Sequence, residues 1–349
     1  MHFSSLPATV LAQFRDGQVI PAQPLALDAQ RRFDPRRQRA LSRYYIDAGA
    51  GGLAVAVHTT QFAIRDVGLY RPVLEAAAET ASSWIDRPLM MIAGVVGRTQ
   101  QALSEARTAR ALGYHAVLLS LAALKGCSED ELIEHCQTLA AEMPLIGFYL
   151  QPAVGGMPLA ASFWRRFAEI ENAIGIKVAP FNRYATLDVM AGVAAAKAAD
   201  RVTLYTGNDD HIVLDLVTPF RTEQGDLHFA GGLLGHWSVW TQKAVGILAR
   251  CKEARKEAAV SREILALDSA VTDCNAAFFD VANSFHGVIA GCHEVLRRQG
   301  LLEGRWCLDP GEDLSPGQLE AIDRVYRLYP ELNDDAFVRA NLGKWLEAD

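Results

Sequence analysis

In the segment NAIGIKVAPFNRY (172–184) a single lysine, Lys177, interrupts an apolar, strand-like run that stops at a proline. An ammonium group in apolar surroundings is costly, so its pKa falls and the neutral amine becomes a nucleophile toward a carbonyl carbon, with a Schiff base as the product. A lysine that snorkels from a strand end, or pairs with a carboxylate, leaves the same trace, and its position alone does not separate these readings. Upstream by 28 positions, GFYLQPAVGG holds Tyr149 at the end of the preceding apolar run. A phenol at that point can carry the protons that imine formation and carbon–carbon cleavage both move. The plainer alternative is an aromatic core residue with a satisfied hydroxyl.

Other polar residues fall at the ends of apolar runs. His58, Thr59 and Thr60 follow one such run in AVHTTQF, and His58 offers a titratable imidazole to a substrate hydroxyl or carboxylate. His236 invites the same argument. Gly231 and Gly232 in FAGGLLG leave room for a substrate or allow a backbone bend. Asn208-Asp209-Asp210-His211 is adjacent polar sequence, better read as a helix N-cap than as a metal site, and no metal or cofactor is expected. Trp237, Trp240, Phe278, Phe279 and Phe285 form a lid or, more simply, core between two parts of the molecule.

These groups need elements to position them. Eight runs of strand length alternate with helical segments: 19–27, 52–57, 88–96, 115–121, 144–150, 174–178, 202–206 and 226–235. Helix punctuation separates them, with Asp34 and Pro35 opening one helix that Gly49 closes, and Thr99 and Gly113 bracketing another. This rhythm predicts a (β/α)8 TIM barrel over 1–235, in which catalytic groups sit at the C-terminal ends of the strands. From 236 to 349 the periodicity is helical and predicts an extension packed on the barrel. An open doubly wound sheet is the structural alternative, but no G-x-G-x-x-G follows the first strand.

Composition narrows the function. Half of the 349 residues are hydrophobic, and the formal charge of −7 includes no basic run long enough to track phosphates, so a small molecule is the expected partner and nucleic acid is not. The N-terminus lacks a basic start with an apolar core, and no apolar stretch reaches the length of a membrane span. Six cysteines show neither C-x-x-C nor zinc spacing. A reduced, cytoplasmic chain with no membrane partner is the expectation.

The pair Y-x-x-P (Tyr149, Pro152) and G-I-K (Gly175, Ile176, Lys177) resembles the dihydrodipicolinate synthase and N-acetylneuraminate lyase superfamily of class I aldolases. VIPAQPLAL, IDAGAGGLAVAVHTT, MIAGVVGRTQQALSEARTARALGYHAVLL and TGNDDHIVLDL are similar to further family segments in the same order, so the likeness covers most of 17–240. The resemblance implies that Lys177 forms an imine with a pyruvate-like 2-oxo acid, that Tyr149 shuttles protons, and that Thr59 and Thr60 bind the substrate carboxylate and support the tyrosine. It also implies a homo-oligomer, a dimer or tetramer. Departures from the family pattern are marked. Its G-T-T-G-E loop reads His58-Thr59-Thr60-Gln61-Phe62, the asparagine after the tyrosine is Leu150, and the arginine for a second carboxylate is replaced by Val154 or a neighbour. Ala179-Pro180-Phe181 stands where a small polar turn is usual. The expectation is therefore a Schiff-base lyase or aldolase that is not a true dihydrodipicolinate synthase. A dehydratase acting on a sugar-derived 2-oxo acid through the same imine, and a non-catalytic ligand-binding barrel, are the alternatives.

Overall fold

Runs of small and branched apolar residues, buried on both faces, pair in parallel into one sheet. In the computed structural model, which describes residues 1–347, its strands are β1 (Val19–Pro21), β2 (Gly52–Val55), β3 (Met90–Val95), β4 (Ala116–Leu119), β5 (Leu145–Leu150), β6 (Ala173–Ala179) and β7 (Thr203–Thr206). A separate antiparallel hairpin of β8 (Phe220–Thr222) and β9 (Gly225–Leu227) precedes the last barrel strand, β10 (Gly231–Leu234). The strand order is β1-β10-β7-β6-β5-β4-β3-β2, and a parallel bridge from Ala22 to Ala54 joins its ends, so the sheet closes on itself. The fold is the expected (β/α)8 TIM barrel with C-terminal helices.

Helices α2 (Pro35–Asp47), α3 (Tyr70–Trp84), α4 (Thr99–Ala111), α5 (Glu129–Glu142), α6 (Ala161–Glu169), α7 (Arg183–Ala195), α8 (Ile212–Val217) and α9 (Thr241–Ala254) surround the strands, after a short α1 (Ala8–Asp16). Local chemistry sets their ends. The Asp34 carboxylate accepts from the Arg37 N–H at 3.1 Å with Pro35 in the first turn, and Ser128 with Glu131 forms a reciprocal capping box on α5. Because α9 packs against α8 and β1, the helix after residue 236 lies within the ring of barrel helices. Beyond it, α10 (Arg262–Phe278), α11 (Val288–Arg298), α12 (Gln318–Leu328) and α13 (Asp335–Trp345) form the extension, with α10 against α8 and α13 against α2.

Two expected strands are shorter than their apolar runs. The first stops at Pro21, because Pro21 and Pro24 lack the N–H that a ladder requires, and the Ala26 N–H donates instead to Gln38 Oε1 at 2.8 Å. The eighth splits in two: residues 225–227 pair backwards with 220–222, and the barrel strand begins only at Gly231.

The barrel interior is packed by Ile20, Ala54, Ile92, Leu118, Ile146 and Leu233 with their neighbours. Helix α1 plugs the N-terminal end, its Phe14 ring stacked on Tyr205 at 4.8 Å while the Tyr205 hydroxyl donates to the Phe14 carbonyl at 2.7 Å. Space remains at the C-terminal end. All six cysteines are free, and all but Cys127 are buried.

Candidate active site

Lys177 projects from β6 into a cavity of about 510 Å³, open mouth included, at the C-terminal end of the barrel. The side chain is only 7% exposed and runs past Gly207, where an added Cβ would stand 2.8 Å from Lys177 Cε. Burial pulls the lysine pKa down to about 8, with the Asp209 carboxylate opposing the shift. The Nζ lies 4.4 Å from the centre of the Phe148 ring, an aromatic face that favours the ammonium form.

Asp209, at the end of β7, lines the same cavity and is the site residue that the sequence reading missed. It is 4% exposed, burial raises its pKa, and Lys177 and a hydrogen bond from Asn275 oppose that rise. One oxygen, Oδ1, has no hydrogen-bond partner among the described residues. A buried carboxylate oxygen left unpaired beside an amine is poised to take up a proton. Asn275, on α10, also contacts His236 Nδ1 at 3.2 Å, and burial lowers the His236 pKa to about 4. His236 thus stands behind Asp209 and not in the cavity wall. The signal for Asp209 was its position after a barrel strand, but the polar run NDDH reads as a helix cap. The cap is absent: His211 makes no capping bond, and Asp268 of α10 accepts the Leu214 N–H of α8 at 3.0 Å instead. Nor does the run converge as ligands, since Asn208 is a strut, Asp210 is exposed and His211 faces Asp268 at 3.6 Å.

That strut ties two loops together. Asn208 accepts from the Phe181 N–H at 3.1 Å and donates to Asp215 at 2.9 Å, and Asp215 also holds Thr206 at 2.6 Å and pairs with Arg183. The loop after β6, carrying Phe181, is therefore fixed to the loop after β7, carrying Asp209.

The structure does not bring Tyr149 to Lys177. A bulge causes this. Leu145 pairs with Ala173, a separation of 28 (173 − 145), but Ile146 pairs with Gly175, and from there the separation is 29 (175 − 146). Phe148 is consequently the residue opposite Lys177, and a slip of one residue sends Tyr149 to the other face of the sheet. There its ring packs on Trp164 with centroids 5.2 Å apart, and its hydroxyl accepts from the Leu159 N–H at 3.1 Å. The expected proton shuttle is a core residue of the helical layer.

The threonines separate in a similar way. Thr59 lines the cavity, with its hydroxyl donating to the Ala22 carbonyl at 2.6 Å. Thr60 is fully buried, donates to Gln23 at 2.6 Å and accepts from the Val57 N–H at 3.2 Å, so it shapes the loop without facing the cavity. His58 lines the cavity, and burial together with the nearby Lys177 charge lowers its pKa to about 4, which leaves the imidazole neutral near pH 7. Gly231 stands at the opposite end of its strand, where a Cβ would come within 2.3 Å of the Gln18 carbonyl, so it serves close backbone packing and is not among the residues lining the cavity. Gly235 is the glycine of that segment that faces the cavity. From the extension come Phe279, Phe285 and Val288, so the aromatic residues Phe279 and Phe285 serve as wall as well as core.

A closed parallel barrel with an amine and a carboxylate buried together at its C-terminal mouth defines the class of protein. The model of the dihydrodipicolinate synthetase family matches residues 16–218, and the chain belongs to that family. A 4-hydroxy-tetrahydrodipicolinate synthase of Moorella thermoacetica is 27% identical over 208 residues, which is 58% of this chain and 66% of that protein, so the match spans just under two thirds of the relative's length. Among solved structures, dihydrodipicolinate synthase from Aquifex aeolicus superposes with a TM-score of 0.74 at 17% identity, covering 91% of this chain and 99% of that one. N-acetylneuraminate lyase from Fusobacterium nucleatum does so with a TM-score of 0.72 at 18% identity, covering 91% and 99%. At such identities the superpositions speak for the fold.

Proposed function

We propose that this protein is a lyase in which Lys177 forms a Schiff base with a pyruvate-like 2-oxo acid and a carbon–carbon bond next to the imine is broken or made. The observation that carries the reading is the buried Lys177 amine, with a depressed pKa, facing the same cavity as Asp209, whose Oδ1 has no hydrogen-bond partner among the described residues. Membership of the family supports it. The neutral amine attacks the C2 carbonyl and water departs. The resulting iminium then draws electrons from the adjacent bond. With Tyr149 turned away, Asp209, which shares the cavity and influences the charge of Lys177, is the carboxylate assigned to proton transfer in this reading. His58, neutral, and Thr59 line the same cavity and are the groups proposed to receive the substrate carboxylate.

True dihydrodipicolinate synthase activity is not part of this proposal. Val154 contributes to the wall where a second carboxylate would need a cation, and Lys177 is the only cationic side chain in the cavity lining. One observation favours a second reading: Phe148, opposite Lys177, has no hydroxyl. A barrel that holds a 2-oxo acid without turning it over would tolerate that loss. Incubation with pyruvate and other 2-oxo acids, followed by borohydride reduction and peptide mapping, tests the imine. The expected result is a mass adduct on Lys177 that is absent from Lys177→Ala; failure of every 2-oxo acid to label Lys177 would sink both readings.

A further inference from the structure

We infer that the substrate carries an apolar, planar group beyond the reacting carbons, so that the fragment released or added is an aryl aldehyde and not a sugar or a second carboxylate. This inference rests on the imine reading of Lys177 and deepens it. The cavity lining combines a few polar side chains with a larger set of apolar ones. His58, Thr59, Lys177 and Asp209 supply the polar groups that match the 2-oxo acid head, with the Phe148 ring 4.4 Å from the Lys177 amine. The remaining side-chain wall is built by Phe148, Leu150, Val154, Phe181, Phe279 and Phe285 with smaller apolar neighbours, and only Gln151 interrupts it. A polyhydroxylated chain would lose its water against these rings with almost nothing to accept or donate, whereas an aryl group loses nothing by desolvation and gains ring contact.

The backbone supplies a second, independent observation. Phe181 and Phe285 meet edge to face with ring centroids 5.9 Å apart, one from the loop after β6 and the other from the extension. Both have left-handed backbone angles, φ 50° and φ 68°, a region that bulky side chains rarely occupy. In the segment leading to Phe285, Asp280 and Ser284 are left-handed as well, at φ 55° each. Strain of this kind persists where surrounding structure enforces it, and here the Asn208 bond to the Phe181 N–H is part of that enforcement. Its product is a pair of aromatic rings in the cavity wall.

For a 4-aryl-4-hydroxy-2-oxobutanoate the chemistry closes. The neutral Lys177 amine, the C2 carbonyl and one proton from solvent give the iminium and one water. The C3–C4 bond breaks with its electron pair moving to C3 as an enamine, the C4 hydroxyl proton passes to the Asp209 carboxylate, and C4 departs as the aryl aldehyde. Asp209 returns the proton to C3, and water hydrolyses the iminium to free pyruvate, the amine and the proton taken up at the start.

Borohydride trapping at Lys177 tests the inference without requiring turnover. The concentrations of pyruvate, 2-oxo-4-phenylbutanoate and 2-keto-3-deoxygluconate that give half-maximal adduct are compared on the full chain. The phenyl acid should label at a concentration at least ~10-fold lower than pyruvate and ~100-fold lower than the sugar acid, given the discrimination that an apolar pocket achieves. In Phe285→Ala the gap between phenyl and sugar acids should narrow. Lys177 labelled by the sugar acid at equal or lower concentration than by the phenyl acid would overturn the aryl assignment and leave the imine standing. No adduct from any of the three would overturn the imine reading itself.

Discussion

At the scale of single residues, the site is an amine and an acid whose burial pushes their pKa values toward each other. Burial lowers Lys177 and raises Asp209, and the charge of each opposes the other's shift. Trapping requires the free amine, so its rate should rise with pH and level off well below the ordinary lysine value of 10.5. Asp209→Asn removes the charge that holds the Lys177 pKa up. In that variant the pH midpoint for trapping should move lower, while turnover falls by roughly 10²–10⁴-fold as expected for a lost acid–base group. Tyr149→Phe makes a contrasting case. It leaves the Leu159 N–H without its acceptor, so urea unfolding should show a loss of about 1–3 kcal/mol, with borohydride labelling of Lys177 unchanged.

At the scale of elements, one extra residue in β6 decides which side chain of β5 meets the lysine. The strands themselves were legible from their apolar runs, and so was the rule that polar residues at their C-terminal ends matter. The register was not, because a bulge at Ile174 depends on how two neighbouring strands fit, not on the composition of either. The same limit explains Gly231 and Gly235, two glycines four residues apart at opposite ends of one strand, with only the latter in the cavity wall. Between β6 and β7 the critical fit is Gly207. A Cβ there would lie 2.8 Å from Lys177 Cε and 2.9 Å from the Ala179 Cβ. Gly207→Ala should therefore slow imine trapping by displacing the lysine stem and cost about 1–3 kcal/mol of stability, read from denaturant unfolding.

At the scale of the whole molecule, the extension completes the site. Phe279, Phe285 and Val288 close the cavity and Asn275 steadies Asp209, so the barrel by itself would have an open, wet mouth. The extension is fastened at a buried carboxylate, Asp334, which accepts from the Tyr44 hydroxyl at 2.7 Å, the Gln242 N–H at 3.1 Å and Gln299 Nε2 at 2.7 Å. Asp334→Ala would leave these buried donors unpaired. The expected loss is on the order of 3 kcal/mol in urea unfolding. Helix α11 lies deep in this fastening, with Val288 through Leu296 all buried, His293 and Glu294 included.

By itself the sequence determined the barrel, its helical tail, the family likeness and the lysine, because apolar periodicity, helix caps and a charge inside a strand are local and survive without knowledge of the fold. The tertiary structure decided what surrounds the lysine: Phe148 and not Tyr149 across from it, Asp209 beside it, and the rings of Phe181 and Phe285 further along the wall. Those contacts join residues that are distant in the chain. Facing, in a sheet, reverses with a shift of one residue, so spacing along the chain could name the strands but not the side chains that meet.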